Sequence, residues 1–160
     1  MSEVLLEICV DNVASLDIAV AAGADRIELC AALGVGGLTP SAGLIMAARD
    51  VPIPVNAMIR PRAGDFVYSK AEIDLMCHDI EVVGEAGLAG VVLGVSKSDH
   101  HLDADAMGIL LQQANGMETT LHRAIDLVPD VGEAIELAVS LGFTRVLTSG
   151  GKISALEGAP

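Results

Sequence analysis

Short apolar segments alternate with segments of helical periodicity along the whole chain. In the helical segments apolar residues recur at intervals of three and four, as Met107, Leu110 and Ala114 do, which predicts one buried face. The apolar segments between them are too short for such helices and predict strands. The six predicted strands are Leu5–Val10, Arg26–Cys30, Val55–Arg60, Gly90–Gly94, Thr119–Arg123 and Arg145–Thr148. Strict alternation of strand and helix is typical of a parallel sheet built from βαβ units.

Capping residues predict where two of the helices begin and end. Asp130 is a favourable N-cap, and Gly142 stands where a glycine ends the helix that follows. Thr39 and Pro40 predict a second helix with a capping threonine and a proline in its first position, ending near Asp50.

One face of the first two predicted strands carries polar side chains. Glu7 and Cys9 share a face of the first strand, and Glu28 and Cys30 hold the equivalent places in the second. A doubly wound sheet would cover both faces with apolar helices, whereas the mouth of a barrel accommodates charge. We therefore expect an α/β fold, a TIM (β/α) barrel that forms a single domain over residues 1–160.

The length of the chain limits how much of a barrel it can contain. In 160 residues eight βα units would have only about 20 residues each, below the roughly 25–30 of a typical barrel. We therefore expect about six βα units, with the last two lacking. Such a sheet would leave two open edges and exposed apolar surface, which favours association into a homodimer.

Charge and composition narrow the range of partners. The chain has 22 acidic and 9 basic residues, a net charge of −13, and 2% aromatic residues, unlike the basic and aromatic surfaces that bind nucleic acid. Every apolar run is shorter than the roughly 18 residues of a membrane span, and the first residues lack the pattern of a secretory leader. Three cysteines are too few for a disulfide scaffold. We therefore expect a cytoplasmic protein that binds neither nucleic acid nor membranes.

Arginines gather at the predicted strand ends, where the active sites of (β/α) barrels lie. Arg60 and Arg62 close the third strand, and Arg123 closes the fifth. Since a guanidinium forms paired hydrogen bonds with carboxylate or phosphate, these three residues predict a site for a small anionic ligand. The alternative is that they pair with Glu7 and Glu28 in a structural ion network.

A second candidate anion site follows the sixth predicted strand. Ser149, Gly150 and Gly151 stand there, and successive glycines let backbone N–H groups converge on an anion. The alternative is that the two glycines only permit a tight turn.

Three residues at the strand ends are candidates for proton transfer. The ordinary pKa of histidine lies near neutrality, which suits His122 to act as a general acid or base. Glu7 and Glu28 are carboxylates that we expect at the same mouth of the barrel. There they are candidates for the proton transfer that lyase and isomerase reactions require. The alternative for His122 is a buried histidine with satisfied hydrogen bonds.

Cys9 and Cys30 are candidate ligands for a soft metal ion. They stand at equivalent points of two neighbouring strands, which we expect to lie about 4.8 Å apart. Two thiols on one face are able to bind Cu(I), which prefers thiolate and thioether sulfur, with Met58 or His122 as a third ligand. The alternative is that both cysteines are small buried hydrophobic residues.

The sequence around these residues resembles that of the copper homeostasis protein CutC family. The resemblance rests on seven stretches that run in order along the chain: Glu7–Asp11, Gly23–Cys30, Gly36–Ser41, Met58–Arg62, Gly64–Ser69, His122–Asp126 and Arg145–Gly151. It implies a TIM-barrel fold, a cytoplasmic location and an association with Cu(I), which it assigns to Cys9 and Cys30.

Three interpretations of function remain open. The first is a cytosolic copper homeostasis protein that binds Cu(I) through its strand-end cysteines. The second is a TIM-barrel enzyme of lyase or isomerase type that holds a small anionic substrate with Arg60, Arg62 and Arg123. The third is a truncated, impaired relative, because members of the family complete eight strands whereas this chain reaches Pro160 within its sixth unit.

Overall fold

The computed structural model describes residues 4–159, which build one parallel sheet of six strands in sequential order. The strands are β1 (Glu7–Val10), β2 (Arg26–Leu29), β3 (Val55–Met58), β4 (Gly90–Leu93), β5 (Glu118–Leu121) and β6 (Arg145–Val146). All six predicted strands are confirmed, and each is shorter than predicted. β1 begins two residues later than predicted, and in the other five strands the last one or two predicted residues belong to the loop that follows.

Helices alternate with the strands and cover one face of the sheet. They are α1 (Val13–Ala21), α2 (Ala42–Ala48), α3 (Lys70–Ala86), α4 (Ala104–Gln113), α5 (Val131–Leu141) and α6 (Ala155–Gly158), with 3-10 turns at Leu33–Val35 and Arg123–Leu127. The result is an open part of a (β/α) barrel, as the sequence pattern predicts. Within residues 4–159, no helix is both long enough and apolar enough to cross a membrane.

Two helix starts show how local sequence sets these boundaries. The Asp130 side chain accepts a hydrogen bond from the Glu133 N–H at 3.0 Å, which confirms it as the N-cap of α5. The predicted start at Thr39 and Pro40 is wrong, because Ser41 caps α2 instead. Thr39 is held by the end of β3, where its Oγ1 accepts a hydrogen bond from the Arg60 N–H at 2.9 Å.

The two faces of the sheet differ in polarity. On the outer face, side chains such as Ile27 and Leu29 join the apolar core beneath the helices. On the inner face Glu28, Asn56 and Thr120 are polar and nonetheless buried. The strand alternation therefore produces the polar interior that the Glu and Cys pattern predicts.

The register of β1 and β2 corrects one expectation about the cysteines. Cys9 stands beside Glu28, and Glu7 stands beside Arg26, so Cys9 and Cys30 are not at the same level. The strands of a barrel are staggered by its shear, which shifts equivalent sequence positions relative to each other. The stagger places a carboxylate, rather than a second thiol, directly beside Cys9.

Candidate functional site

A cavity of about 310 Å³ opens at the carboxyl ends of the strands. Its volume lies at the lower end of the roughly 300–1,000 Å³ typical of ligand pockets. The residues that line it are Cys9, Glu28, Leu33, Gly36, Met58, Arg60, Phe66, His122, Arg123 and Leu147. The fold therefore brings together candidates for metal binding, anion binding and proton transfer that lie far apart in the sequence.

Arg60 is buried at this cavity with its guanidinium held in place by backbone carbonyls. Its Nη1 donates to the carbonyl oxygens of Val35 at 3.1 Å and Gly37 at 3.2 Å, and its Nη2 donates to that of Gly64 at 2.8 Å. The guanidinium also lies over the Phe66 ring, with Cζ 4.9 Å from the ring centre. No carboxylate in residues 4–159 pairs with it, so its positive charge is positioned without being neutralised.

Glycines allow the loop after β2 to reach this arginine. Gly36 and Gly37 have φ values of +90° and +85°, in the left-handed region that side chains disfavour. A Cβ at Gly36 would lie 3.3 Å from Arg60 Nη1, and one at Gly37 would lie 3.0 Å from Cys30 Sγ. The close approach of backbone to guanidinium therefore depends on residues without side chains.

His122 presents a neutral imidazole at the cavity. Its Nδ1 accepts a hydrogen bond from the Ala124 N–H at 3.2 Å, so the neutral ring carries its proton on Nε2. Burial first, and then the charge of Arg60, lower the pKa of His122 to about 3. Nε2 is buried and has no hydrogen-bond partner in the part of the chain described. The ring thus offers a free N–H donor rather than a charged acid.

The neighbours of His122 fix the position of its ring. The ring centre lies 4.6 Å from that of Phe66, at an angle of 43°. Directly after β4, the residue next to the ring is Gly94, where a Cβ would lie 2.7 Å from two ring atoms. Phe66 therefore contacts both the guanidinium of Arg60 and the imidazole of His122.

Glu28 is a buried carboxyl that contacts both cysteines. Its Oε1 accepts hydrogen bonds from Cys9 Sγ at 3.5 Å and Cys30 Sγ at 3.7 Å. Burial raises the pKa of Glu28, and the charge of Glu7 adds to the effect. The alternative network of arginines with Glu7 and Glu28 is not formed in the part of the chain described, where Glu7 pairs with Arg26 at 2.6 Å.

The two thiols near Glu28 have raised pKa values. Burial raises the pKa of Cys9 to about 12 and also raises that of Cys30, and the charge of Glu28 adds to both shifts. Cys30 packs with Met58 and Val92 in a small apolar cluster on the inner face. Across residues 4–159, no group of three or more His, Cys, Asp and Glu side chains is arranged to hold a metal ion.

The loop after β6 binds the carboxylate of Asp126, a residue of the same chain. The Asp126 carboxylate accepts hydrogen bonds from the backbone N–H groups of Ser149 and Gly151, each at 2.9 Å, and from Thr148 Oγ1. Arg123 completes the arrangement with Nε 2.9 Å from Asp126. Burial acts to raise the pKa of Asp126, but these hydrogen bonds outweigh it and hold the pKa below its usual range.

Two further predicted anion ligands have partners outside the cavity. Arg62 pairs with Glu72 and, at 3.0 Å, with Asp65 on the loop after β3. The Gly150 N–H donates to Thr148 Oγ1 at 2.9 Å. Among the predicted anion-binding residues, Arg60 and Arg123 are the two that line the cavity.

Phe66 lines the cavity although the sequence pattern does not predict it as a site residue. It is one of two phenylalanines in the chain and stands in the Gly64–Ser69 stretch, but nothing in its local pattern shows that this loop folds back over the strand ends. Leu33 and Leu147 are missed for the same reason, since each lies on a loop that reaches the cavity.

The architecture defines a (β/α)-barrel protein with a cavity at the strand ends. Sequence comparison assigns the family. The CutC family model matches residues 4–160. A CutC family protein of Rhizobium meliloti is 59% identical over 157 residues, covering 98% of this chain and 64% of the relative. A CutC family protein of Caulobacter vibrioides is 55% identical, covering 96% of this chain and 63% of the relative. The chain belongs to the CutC family and spans a little less than two thirds of the length of these relatives.

A solved structure agrees with this assignment. The crystal structure of CutC from Streptococcus agalactiae matches with a TM-score of 0.92 and 37% identity, covering 98% of this chain and 78% of that protein. A 2,3-dimethylmalate lyase matches with a TM-score of 0.61 and 14% identity, covering 90% of this chain and 56% of the lyase. The second likeness shows the fold alone.

Proposed function

We propose that the chain contributes a (β/α)-barrel active site that binds a small organic anion at Arg60 and moves a proton on it, as lyases and isomerases do. The observation that carries the proposal is the buried Arg60 guanidinium, which has no carboxylate partner in residues 4–159. Burying a charge without a partner is costly, and a bound anion offsets that cost. A rigid guanidinium is also the group best shaped to hold a carboxylate or phosphate.

The other cavity residues supply the remaining parts of such a site. The free Nε2–H of His122 suits an oxygen of the ligand, because a neutral imidazole is able to polarise a carbonyl group. Glu28 has a pKa raised by burial and by the charge of Glu7, toward the range in which a carboxyl works as both acid and base. Phe66 and Met58 give the cavity apolar walls.

A thermal-shift screen of small carboxylates and phosphates tests this proposal. We expect at least one anion to raise the Tm of the wild-type chain and of Arg49→Gln, an exposed arginine at the end of α2. The increase should vanish in Arg60→Gln. A screen without any shift, or a shift that survives Arg60→Gln, contradicts the proposal.

A second candidate function is binding of Cu(I) as cargo in the cytoplasm, where thiols stay reduced. The observation that favours it is the position of three sulfur-bearing side chains: Cys9 and Met58 line the cavity, and Cys30 packs against Met58. Cu(I) prefers thiolate and thioether ligands. Both thiols must lose a proton to bind it, so the affinity should fall in acid.

Competition for Cu(I) against a chromophoric chelator tests this second function. The double variant Cys9→Ser and Cys30→Ser should lose the metal to the chelator, whereas Cys77→Ser, on the outer helix α3, should bind like the wild type. Equal affinity in the double variant and the wild type contradicts Cu(I) binding by these cysteines.

A further inference from the structure

Building on the proposed function, we propose that the ligand of this cavity is a small 2-oxo monocarboxylate and that Glu28 exchanges a proton at the carbon next to its carbonyl group. Four features of the cavity support this class of ligand: its charge, its hydrogen-bond donors, its size and the position of its carboxyl group.

The charge of the cavity fits a single carboxylate better than a phosphate dianion. Arg123 lines the cavity, but its charge is compensated by Asp126 at 2.9 Å. The backbone N–H groups of Ser149 and Gly151, which would otherwise form a cradle for phosphate, donate to the same carboxylate. Among the cavity residues that the structure describes, Arg60 is thus the one cation without a carboxylate partner.

The donors of the cavity fit a carbonyl oxygen beside that carboxylate. Arg60 and His122 both contact the Phe66 ring, with the guanidinium carbon 4.9 Å and the imidazole centre 4.6 Å from the ring centre. One donor is charged and the other is neutral. In a 2-oxo acid a charged carboxylate and a neutral carbonyl oxygen are adjacent and able to lie in one plane, which matches this pair of donors.

The remaining space fits a short apolar chain. Leu33, Met58 and Leu147 form apolar walls around a cavity of about 310 Å³. This volume is at the lower limit for ligand pockets. A 2-oxo acid with a short alkyl chain therefore fits better than a sugar, whose hydroxyl groups would lack partners on these walls.

Glu28 lies on β2, next to the strand that Arg60 follows, and lines the same cavity. Its carboxylate takes a proton from C3 of the ligand, and the electron pair of the broken C–H bond forms a C2–C3 double bond. The π electrons of the carbonyl group move to its oxygen, where the His122 Nε2–H stabilises the developing charge. When the proton returns to C3, the original ligand forms again. In D₂O the returning proton is replaced by deuterium, so the cycle is detectable without knowledge of a product.

Calorimetry with three ligands of similar length tests the ligand class on the wild-type chain. We expect 2-oxobutanoate to bind about tenfold or more tightly than the other two ligands. The tetrahedral C2 of 2-hydroxybutanoate adds an O–H donor and changes the direction of its oxygen, and propyl phosphate lacks the neutral carbonyl oxygen that the His122 N–H would contact. Tighter binding of propyl phosphate that depends on Arg60 overturns the ligand class and leaves the proposed function standing. If none of the three ligands binds and the thermal-shift screen finds no anion, both the ligand class and the proposed function are overturned.

Proton NMR of 2-oxobutanoate in D₂O tests the role of Glu28. We expect the wild-type chain and Arg49→Gln to speed the loss of the C3 proton signal, and Glu28→Gln to abolish that increase while still binding the ligand. Glu28→Asp, which keeps a carboxyl group but shortens its reach, should be slow rather than inactive and serves if Glu28→Gln fails to fold. Binding of 2-oxobutanoate by the wild type without faster exchange, or unchanged exchange in folded Glu28→Gln, overturns the proton step.

Discussion

The guanidinium of Arg60 lies over the ring of Phe66, with its central carbon 4.9 Å from the ring centre. The same ring packs against His122, so one aromatic side chain positions both donors of the candidate site. Such a contact between a cation and an aromatic ring contributes about 0.5–1 kcal/mol at exposed sites and more when it is buried.

Replacing the Phe66 ring should lower both the affinity for the anion and the free energy of unfolding. Phe66→Leu is expected to lower the free energy of unfolding by about 1–2 kcal/mol and to lower anion affinity, because Arg60 and His122 lose their common support. Calorimetry with the anion selected by the screen measures the affinity, and urea unfolding measures the stability. Phe143→Leu, at the other phenylalanine, is the matched control, and equal affinities for the two variants would contradict the role assigned to Phe66.

Gly94 is expected to be intolerant of any side chain because of its distance to His122. A Cβ there would lie 2.7 Å from the imidazole, so Gly94→Ala should cost about 1–3 kcal/mol by overpacking and displace the ring. Urea unfolding reports the stability, and the imidazole NMR signals of His122 report the displacement. Gly108→Ala, on α4 with nothing within 4 Å of the new Cβ, is the control and should be neutral or slightly stabilising. If both variants are equally stable, the packing of Gly94 against His122 is not as described.

Asp126 should make the stability of the chain sensitive to acid. Its folded-state pKa is lowered by hydrogen bonds from the β6 loop and by Arg123, whereas in the unfolded chain it returns to about 3.9. Unfolding therefore takes up a proton in acid, and the contribution of Asp126 is full above about pH 5 and lost as the pH falls toward the folded-state pKa. Asp126→Asn should cost about 2–3 kcal/mol at neutral pH, with a smaller difference from the wild type in acid.

Urea unfolding at several pH values checks this dependence on Asp126. Asp105→Asn, at an exposed carboxylate in the first turn of α4, provides the control. If the difference between the wild type and Asp126→Asn were constant from neutral pH to acid, the titration of Asp126 would not be its cause.

In residues 4–159, β1 is an edge strand of the sheet, and its position predicts self-association. An apolar groove of about 330 Å³ lies along this edge, and its residues Leu6 and Ile18 are 52% and 68% exposed. Exposed apolar surface beside an edge strand favours pairing with another chain. Light scattering after size-exclusion chromatography should show dimers whose fraction falls in Ile18→Lys but not in Ile109→Lys, an exposed site on α4. A monomer at all concentrations would contradict this prediction.

The architecture could be predicted from the sequence because its signals are local. Alternating periodicity predicts six strands, and the positions of Glu28 and Cys30 predict a polar inner face. The start of α2 could not be predicted in the same way. Both Thr39 and Ser41 are good caps, and the choice depends on the hydrogen bond between Thr39 and the distant Arg60.

The contents of the site depend on long-range geometry that local patterns do not contain. The stagger between β1 and β2 sets Cys9 beside Glu28 instead of Cys30. The folding of one loop onto another decides that Asp126 occupies the N–H groups near Gly151. Residue types at strand ends therefore predict which residues meet at the cavity, and loop packing decides which of them have partners within the described residues.

The most direct test of the central claim is to observe the Arg60 side chain itself while an anion binds. In a nitrogen-15 NMR titration with 2-oxobutanoate, we expect the Nε–H signal of Arg60 to shift and saturate together with the calorimetric binding curve. The Nε–H signal of Arg49 should stay in place. A saturating shift elsewhere in the chain with an unchanged Arg60 signal would contradict the claim that this guanidinium binds the anion.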